Sequence, residues 1–244
     1  MYLSNRLYLV TGVVLIAIAV LLALTIASGM AVTDADPLSK ADTAKMLKDT
    51  YDHRTADVIS LVSSFLLDCG FGLVVGGLLY LVFRDRSRLL AIILLIGFIG
   101  NSALSAATDV INASTLLLAN DFTHGGAGLN AGDPAILEVA HLLGYLGTLF
   151  GAASGSMIAV SFLAMGWLIA RAPSGKVNPP PAIGWIMIVS GIATLLGWAQ
   201  FAIGAAGFFS FIVFGITTLV FTVWLGVWLI ARRSTLPPPD GATG

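Results

Sequence analysis

Apolar residues run in six long blocks along the chain, separated by short polar or Gly/Pro-rich stretches. The blocks cover residues 7–30, 58–83, 89–118, 137–170, 182–203 and 208–231. Each exceeds the roughly 20 residues that carry an α-helix across hydrocarbon. The pattern predicts an all-α polytopic membrane protein: one six-transmembrane-helix domain over 1–234, followed by a disordered Pro-rich tail over 235–244. The first block is longer than the apolar core of a signal peptide, roughly 7–15 residues, and reads as a retained helix. Within the second block, Ser60, Ser64, Asp68, Gly72, Gly76 and Tyr80 recur every fourth residue. That spacing puts small and polar side chains in one row along a helix, where a neighbouring backbone can approach closely.

The polar stretches set the orientation. Residues 84–88 read Arg-Asp-Arg-Ser-Arg, the fourth connection carries Arg171 and Lys176, and the last block ends in Arg232-Arg233. Residues 120–134 and the tight turn at 204–207 have no Lys or Arg. Basic loops stay on the cytoplasmic side, which places both termini in the cytoplasm. Tyr80 before Arg84, Trp167 before Arg171 and Trp228 before Arg232 repeat one pattern, an aromatic ring at headgroup level followed by a snorkelling arginine. Between the first two blocks, residues 41–51 have the spacing of a short surface helix, with Ser39 or Asp42 as its cap.

Composition agrees. Of 244 residues, 57% are hydrophobic and only 10% charged, the mean hydropathy is +0.95 and the formal net charge is −1. A soluble domain carries about 25% charged residues. Near-neutral charge argues against nucleic acid as a partner. The single cysteine, Cys69, leaves no pair for an internal disulfide or a thiol relay.

Ionisable and amide side chains inside the blocks are the candidate chemistry, because polar groups in lipid are costly and tend to be functional. Counting about 1.5 Å per residue from the cytoplasmic helix ends puts Asp68 roughly 22 Å up, Asn101 roughly 18 Å, Gln200 roughly 25 Å and Asp109 about 30 Å. Glu138, His141 and Tyr145 fall higher still. This suggests an outward-opening polar cavity with Asp68 at its floor and Asp109, His141 and Tyr145 toward its mouth. The plainer reading makes Asn101 and Gln200 interhelical hydrogen-bond partners and leaves Asp109 and His141 as wetted interfacial residues. Glu138 and His141, three apart, are placed to pair. Gly72 and Gly76, and the doubled GxxxG of Gly147, Gly151 and Gly155, mark faces of close helix packing.

Several chemistries lack their residues. All four lysines lie in loops, so no lysine is placed for a retinal Schiff base. The three histidines, His53, His124 and His141, are neither deep nor paired as haem or zinc ligands, so no metal site is expected. There is no P-loop, GxSxG or HExxH. An enzyme is therefore the weakest reading, and no cofactor is indicated.

The stretches FLLDCGFGLVVGGLLYLVFRDRSRLLAIILLIGF and HLLGYLGTLFGAASGSMIAVSFLAMGWLIARA, then a proline and GWIMIVSGIATLLGW, resemble the bacterial six-helix proteins grouped as domain of unknown function 4386. The marks are Asp68, then His141 with Gly144-Tyr145, then the exit of the fourth block into a Pro-containing turn. The Pro-Pro-Pro linker and the Gly-rich third loop depart from that pattern. The resemblance implies a bacterial inner-membrane location and names no activity. Two functional expectations stand. One is a sensor or transporter handling a small molecule, ion or proton around Asp68. The other is an accessory subunit packing through its glycine faces against a larger membrane complex or a second copy of itself.

Overall fold

The structure, a computed structural model, describes residues 2–29, 39–126, 128–171, 178–202 and 208–236. The turn expected at 204–207, residues 172–177 of the fourth connection and the tail from residue 237 lie outside them. Every regular element among the described residues is helical: α1 (Tyr2–Gly29), α2 (Thr43–Asp52), α3 (Arg54–Cys69), a π-helical turn (Gly70–Val75), α4 (Gly76–Phe83), α5 (Arg88–His124), α6 (Pro134–Ala170), α7 (Pro181–Ala202) and α8 (Phe208–Arg232). Six spans, Asn5–Ala27, Arg54–Phe83, Arg88–His124, Pro134–Ala170, Pro181–Gln200 and Ile212–Arg232, are long and apolar enough to cross a membrane. The chain is thus a multi-pass membrane protein. The second span is α3, the π turn and α4 in succession.

α5 and α6 are longer than their apolar blocks suggested, at 37 residues each. That is about 55 Å of helix, against roughly 30 Å of hydrocarbon. The connection between them shrinks to residues 125–133. Gly125, at φ +77°, ends α5 in the left-handed conformation that glycine tolerates best, and its N–H bonds the Asp121 carbonyl at 2.8 Å. Asp133 then caps α6: its Oδ1 accepts from the Ala135 N–H at 2.9 Å, and Pro134 takes the first helical position.

The chain divides into two compact units. The first comprises Met1–Val20, Asp68–Ala103 and Ser154–Gly244. Here helix backbones meet at glycines. A methyl group on Gly12 would lie 2.7 Å from the Gly226 carbonyl oxygen of α8, and one on Gly226 2.9 Å from the Gly12 oxygen. Gly166 and Gly184 bring α6 and α7 equally close, with a methyl on Gly166 2.7 Å from the Gly184 oxygen. A methyl on Gly191 would lie 2.9 Å from the Ala159 oxygen and one on Gly97 2.7 Å from the Met157 oxygen, and Gly155 sits against the Trp198 indole. Phe83, Phe98, Phe162, Phe221 and Met165 fill the interior around these crossings. At the 84–87 connection, the Arg86 guanidinium lies 5.0 Å from the Phe83 ring centroid. Its burial lowers its pKa from the ordinary guanidinium value, while neighbouring Tyr8 of α1 acts in the opposite sense. Arg171 stacks 4.1 Å over the Trp167 ring.

The second unit comprises Leu21–Leu67 and Leu104–Ala153. It holds α2, which occupies the place expected for a surface helix, but Asp42 makes no side-chain cap bond; the Thr43 hydroxyl instead donates to the Ser39 carbonyl at 3.2 Å. Leu47 is fully buried among Ala119, Ile136 and Ala140 from the ends of α5 and α6. Burying that leucine contributes about 1.5–3 kcal/mol. A helix of 10 residues is too short to be stable alone in water, so this docking is what makes it one.

The glycines yield a test with opposite signs on one span. A methyl on Gly72 would meet the Ser102 hydroxymethyl and, at 2.7 Å, the Phe98 carbonyl oxygen, whereas one on Gly77 meets nothing within 4 Å. Gly72→Ala should lower stability by about 1–3 kcal/mol through overpacking. Gly77→Ala should be neutral or raise it by up to about 1 kcal/mol through helix propensity. Thermal midpoints in detergent give the comparison, and equal effects at the two positions would contradict this packing.

Candidate functional site

The expected polar residues separate into small hydrogen-bonded groups, which fall in one unit or the other. In the first unit, Asp68 stands just before the π turn and is buried. When helical pairing widens from i−4 to i−5, carbonyls at the junction lose their regular geometry. The Ser102 hydroxyl of α5 donates to the Asp68 backbone carbonyl there. Gly72, within the turn, leaves room for Ser102 and Phe98, so α5 lies directly against the widened segment.

Next to Ser102, Asn101 is committed elsewhere. Ser154 of α6 donates to its side-chain oxygen at 2.8 Å and to its carbonyl at 3.3 Å. Farther along the same pair of helices, Ser161 donates to the Leu94 carbonyl at 3.0 Å. Ser190 of α7 and Thr218 of α8 share a hydrogen bond of 2.9 Å. Gln200 is half-buried near the end of α7. Asn101, Ser154, Ser190 and Thr218 are thus interhelical stitches, each placing a hydroxyl or amide where lipid has no partner to offer.

In the second unit the important acid is Asp109. It is 5% exposed, against 9% for Asp68, and its Oδ1 accepts from the Ser64 hydroxyl of α3 at 3.0 Å. The adjacent Ser63 turns to α1, where the Thr25 hydroxyl donates to it at 3.1 Å. Two neighbouring serines therefore tie α3 to two different helices. Asp109 is therefore buried within its unit, and α5, which runs on to His124, leaves it about 22 Å short of that helix end.

His141 and Tyr145, one turn apart on α6, make an edge-on ring contact with centroids 4.9 Å apart. Tyr145 is exposed, while the Nδ1 atom of His141 is buried without a hydrogen-bond partner among the described residues. Glu138 does not pair with His141 as its spacing suggested. Its carboxylate binds the Lys40 ammonium, reaching across from the segment before α2. Among the described residues no three His, Cys, Asp or Glu side chains are grouped so as to hold a metal ion. Of the packing glycines, Gly72, Gly76 and Gly155 face close neighbours, while a methyl on Gly147 would meet only Ile111, at an ordinary 3.5 Å.

Three contacts had no sequence signal: Ser64 with Asp109, Ser102 with the Asp68 carbonyl, and Lys40 with Glu138. Their partners lie 45, 34 and 98 residues apart. The Ser64–Asp109 bond can be measured by a double-mutant cycle with Ser64→Ala and Asp109→Asn. A coupling of about 0.6–1.7 kcal/mol is expected for a hydrogen bond between membrane helices. Additive effects in mixed-micelle unfolding would show that the two groups do not interact.

No curated protein and no solved structure matches the chain. The family model described as Domain of unknown function (DUF4386) matches residues 10–232. That match takes in the second span with its buried Asp68, both long helices and the closing helix α8. The chain is a member of the DUF4386 family of integral membrane proteins.

Proposed function

We propose that this membrane protein handles a small molecule, ion or proton, as a sensor or transporter, through a polar cavity around Asp68 that opens to the outside. The observation that carries this reading is a buried carboxyl group at the edge of a π turn inside an apolar span. An acid in such a span is costly to maintain, and π turns recur at functional sites because they widen the helix and loosen its regular pairing. Asn101 and Gln200, in the same unit, would fix the helices around the acid.

The accessory-subunit reading needs small-residue faces turned outward to receive a partner helix or a second copy. Gly72, Gly76, Gly97, Gly155, Gly166 and Gly184 instead have neighbours within the chain, which favours the first reading. Both termini lie in the cytoplasm on this reading, in a bacterial inner membrane.

Two measurements test it. Liposomes carrying the purified protein and an internal pH dye should acidify when a potassium gradient with valinomycin drives protons inward. Asp68→Asn should remove at least about nine-tenths of that flux, with an unchanged melting temperature. Parent liposomes as tight as empty ones, or equal flux in both proteins, would overturn proton handling. For orientation, a membrane-impermeant thiol reagent added to whole cells should label Asn130→Cys and not Asp85→Cys, each in a Cys69→Ser background. Both chosen positions are exposed. The reverse pattern inverts the topology.

A further inference from the structure

Outside the apolar spans, side-chain contacts of the second unit gather along α2 and its flanks. At its start the Lys40 ammonium meets Glu138 of α6. In its middle Leu47 plugs the seat formed by Ala119 of α5 and Ile136 and Ala140 of α6. At its end the Tyr51 hydroxyl and the His124 imidazole share a 3.3 Å hydrogen bond, with their rings edge-on at 5.0 Å. The Arg54 guanidinium lies 5.6 Å from the Tyr51 centroid.

These contacts differ in kind. The apolar plug does not depend on salt. The ion pair does: its side chains are 65% and 59% exposed, so dissolved ions reach both partners. α2 has one large, fully buried side chain and ten residues of helix, with no side-chain cap at its start. It does not hold its helical form apart from its seat, so undocking and unwinding are a single event. The seat is Ala119, Ile136 and Ala140, with the only partly buried Leu118, Phe122 and Leu137 of the two helices and Met46 and Tyr51 of α2 packed against it.

We propose that α2 is a releasable strap across the ends of α5 and α6, and that the Lys40–Glu138 ion pair sets how long it stays docked. Ionic strength, or a charged solute competing for either partner, shifts the strap toward release while the rest of the protein stays folded. Release uncovers Ala119, Ile136 and Ala140 on the two longest helices. The contacts involved are separate from Asp68, so the strap stands or falls independently of proton handling.

The test is thiol labelling in detergent with a Cys69→Ser background and Ala140→Cys as reporter, a position fully covered when α2 is docked. Labelling by a water-soluble maleimide should be slow at about 0.05 M salt. It should accelerate toward 1 M, where the screening length falls to about 3 Å. Lys40→Gln should label about two- to five-fold faster at low salt, the factor an exposed ion pair supplies, and should lose the salt dependence. Lys40→Arg should restore the slow rate. The melting temperature should stay unchanged throughout. Equal labelling of parent and Lys40→Gln, or no response to salt, overturns the proposal. So does faster labelling accompanied by a matching fall in melting temperature, which would make α2 a fixed part of the fold. If Ala140→Cys fails to fold, Ala119→Cys reports on the same seat from α5 and is read by the same criteria.

Discussion

Lipid gives two apolar helices no hydrophobic reason to prefer each other, so this fold depends on how closely helix backbones can approach. Gly12 against Gly226, Gly166 against Gly184 and Gly72 against Phe98 and Ser102 bring one helix's main chain within van der Waals reach of the next. At those distances dispersion contacts are dense, and short side chains can bridge the helices. The hydroxyls follow the same geometry. Ser154, Ser161 and Ser102 reach a neighbouring backbone carbonyl because no bulky residue holds the helices apart. Close approach and polar stitching are therefore one property of the packing, and the loss of a glycine removes both.

The π turn belongs to the same economy of space. In a straight α-helix the row from Ser60 to Tyr80 would drift around the axis, since each step of four residues overshoots a full turn by about 40°. The wider turn at Gly70–Val75 sets that rotation back. Gly72 and Gly76 both lie against Phe98, and Val75, Leu79 and Phe83 are fully buried beyond them. The cost falls on the backbone next to Asp68, and the Ser102 hydroxyl offsets part of it by supplying a donor to the Asp68 carbonyl.

Much of this was legible in the chain. Six apolar blocks, the row of small residues around Asp68, the aromatic–arginine anchors and the short helix before the second span all follow from composition and spacing, which are local properties. What was not legible depends on contacts between distant residues. Nothing near Asp109 announces Ser64, and nothing near Glu138 announces Lys40. Helix length was misjudged for a physical reason as well. Hydropathy reports where lipid ends, not where hydrogen-bonded helix ends. α5 and α6 keep winding past their apolar blocks as far as their caps, Gly125 at the end of one and Asp133 at the start of the other. The π turn was hidden because a widened turn is chosen by what the helix packs on, not by the residues it contains.

The length of α5 and α6 also bears on how the protein rides in its bilayer. Even tilted by about 40°, a helix of 55 Å spans about 42 Å, more than the hydrocarbon is thick. Tilt alone cannot hide the surplus. α2 lies over the outlying ends and carries Lys45, Lys48, Asp49 and Asp52, while Glu138 and Asp121 stand close by in the chain on the helices themselves. None of these charges can be drawn into oil without a large penalty. They act as a collar: a thicker membrane can rise along the two helices only as far as that rim, and a thinner one can recede without exposing new polar backbone. The charges on a ten-residue helix thus limit how far lipid can rise along α5 and α6.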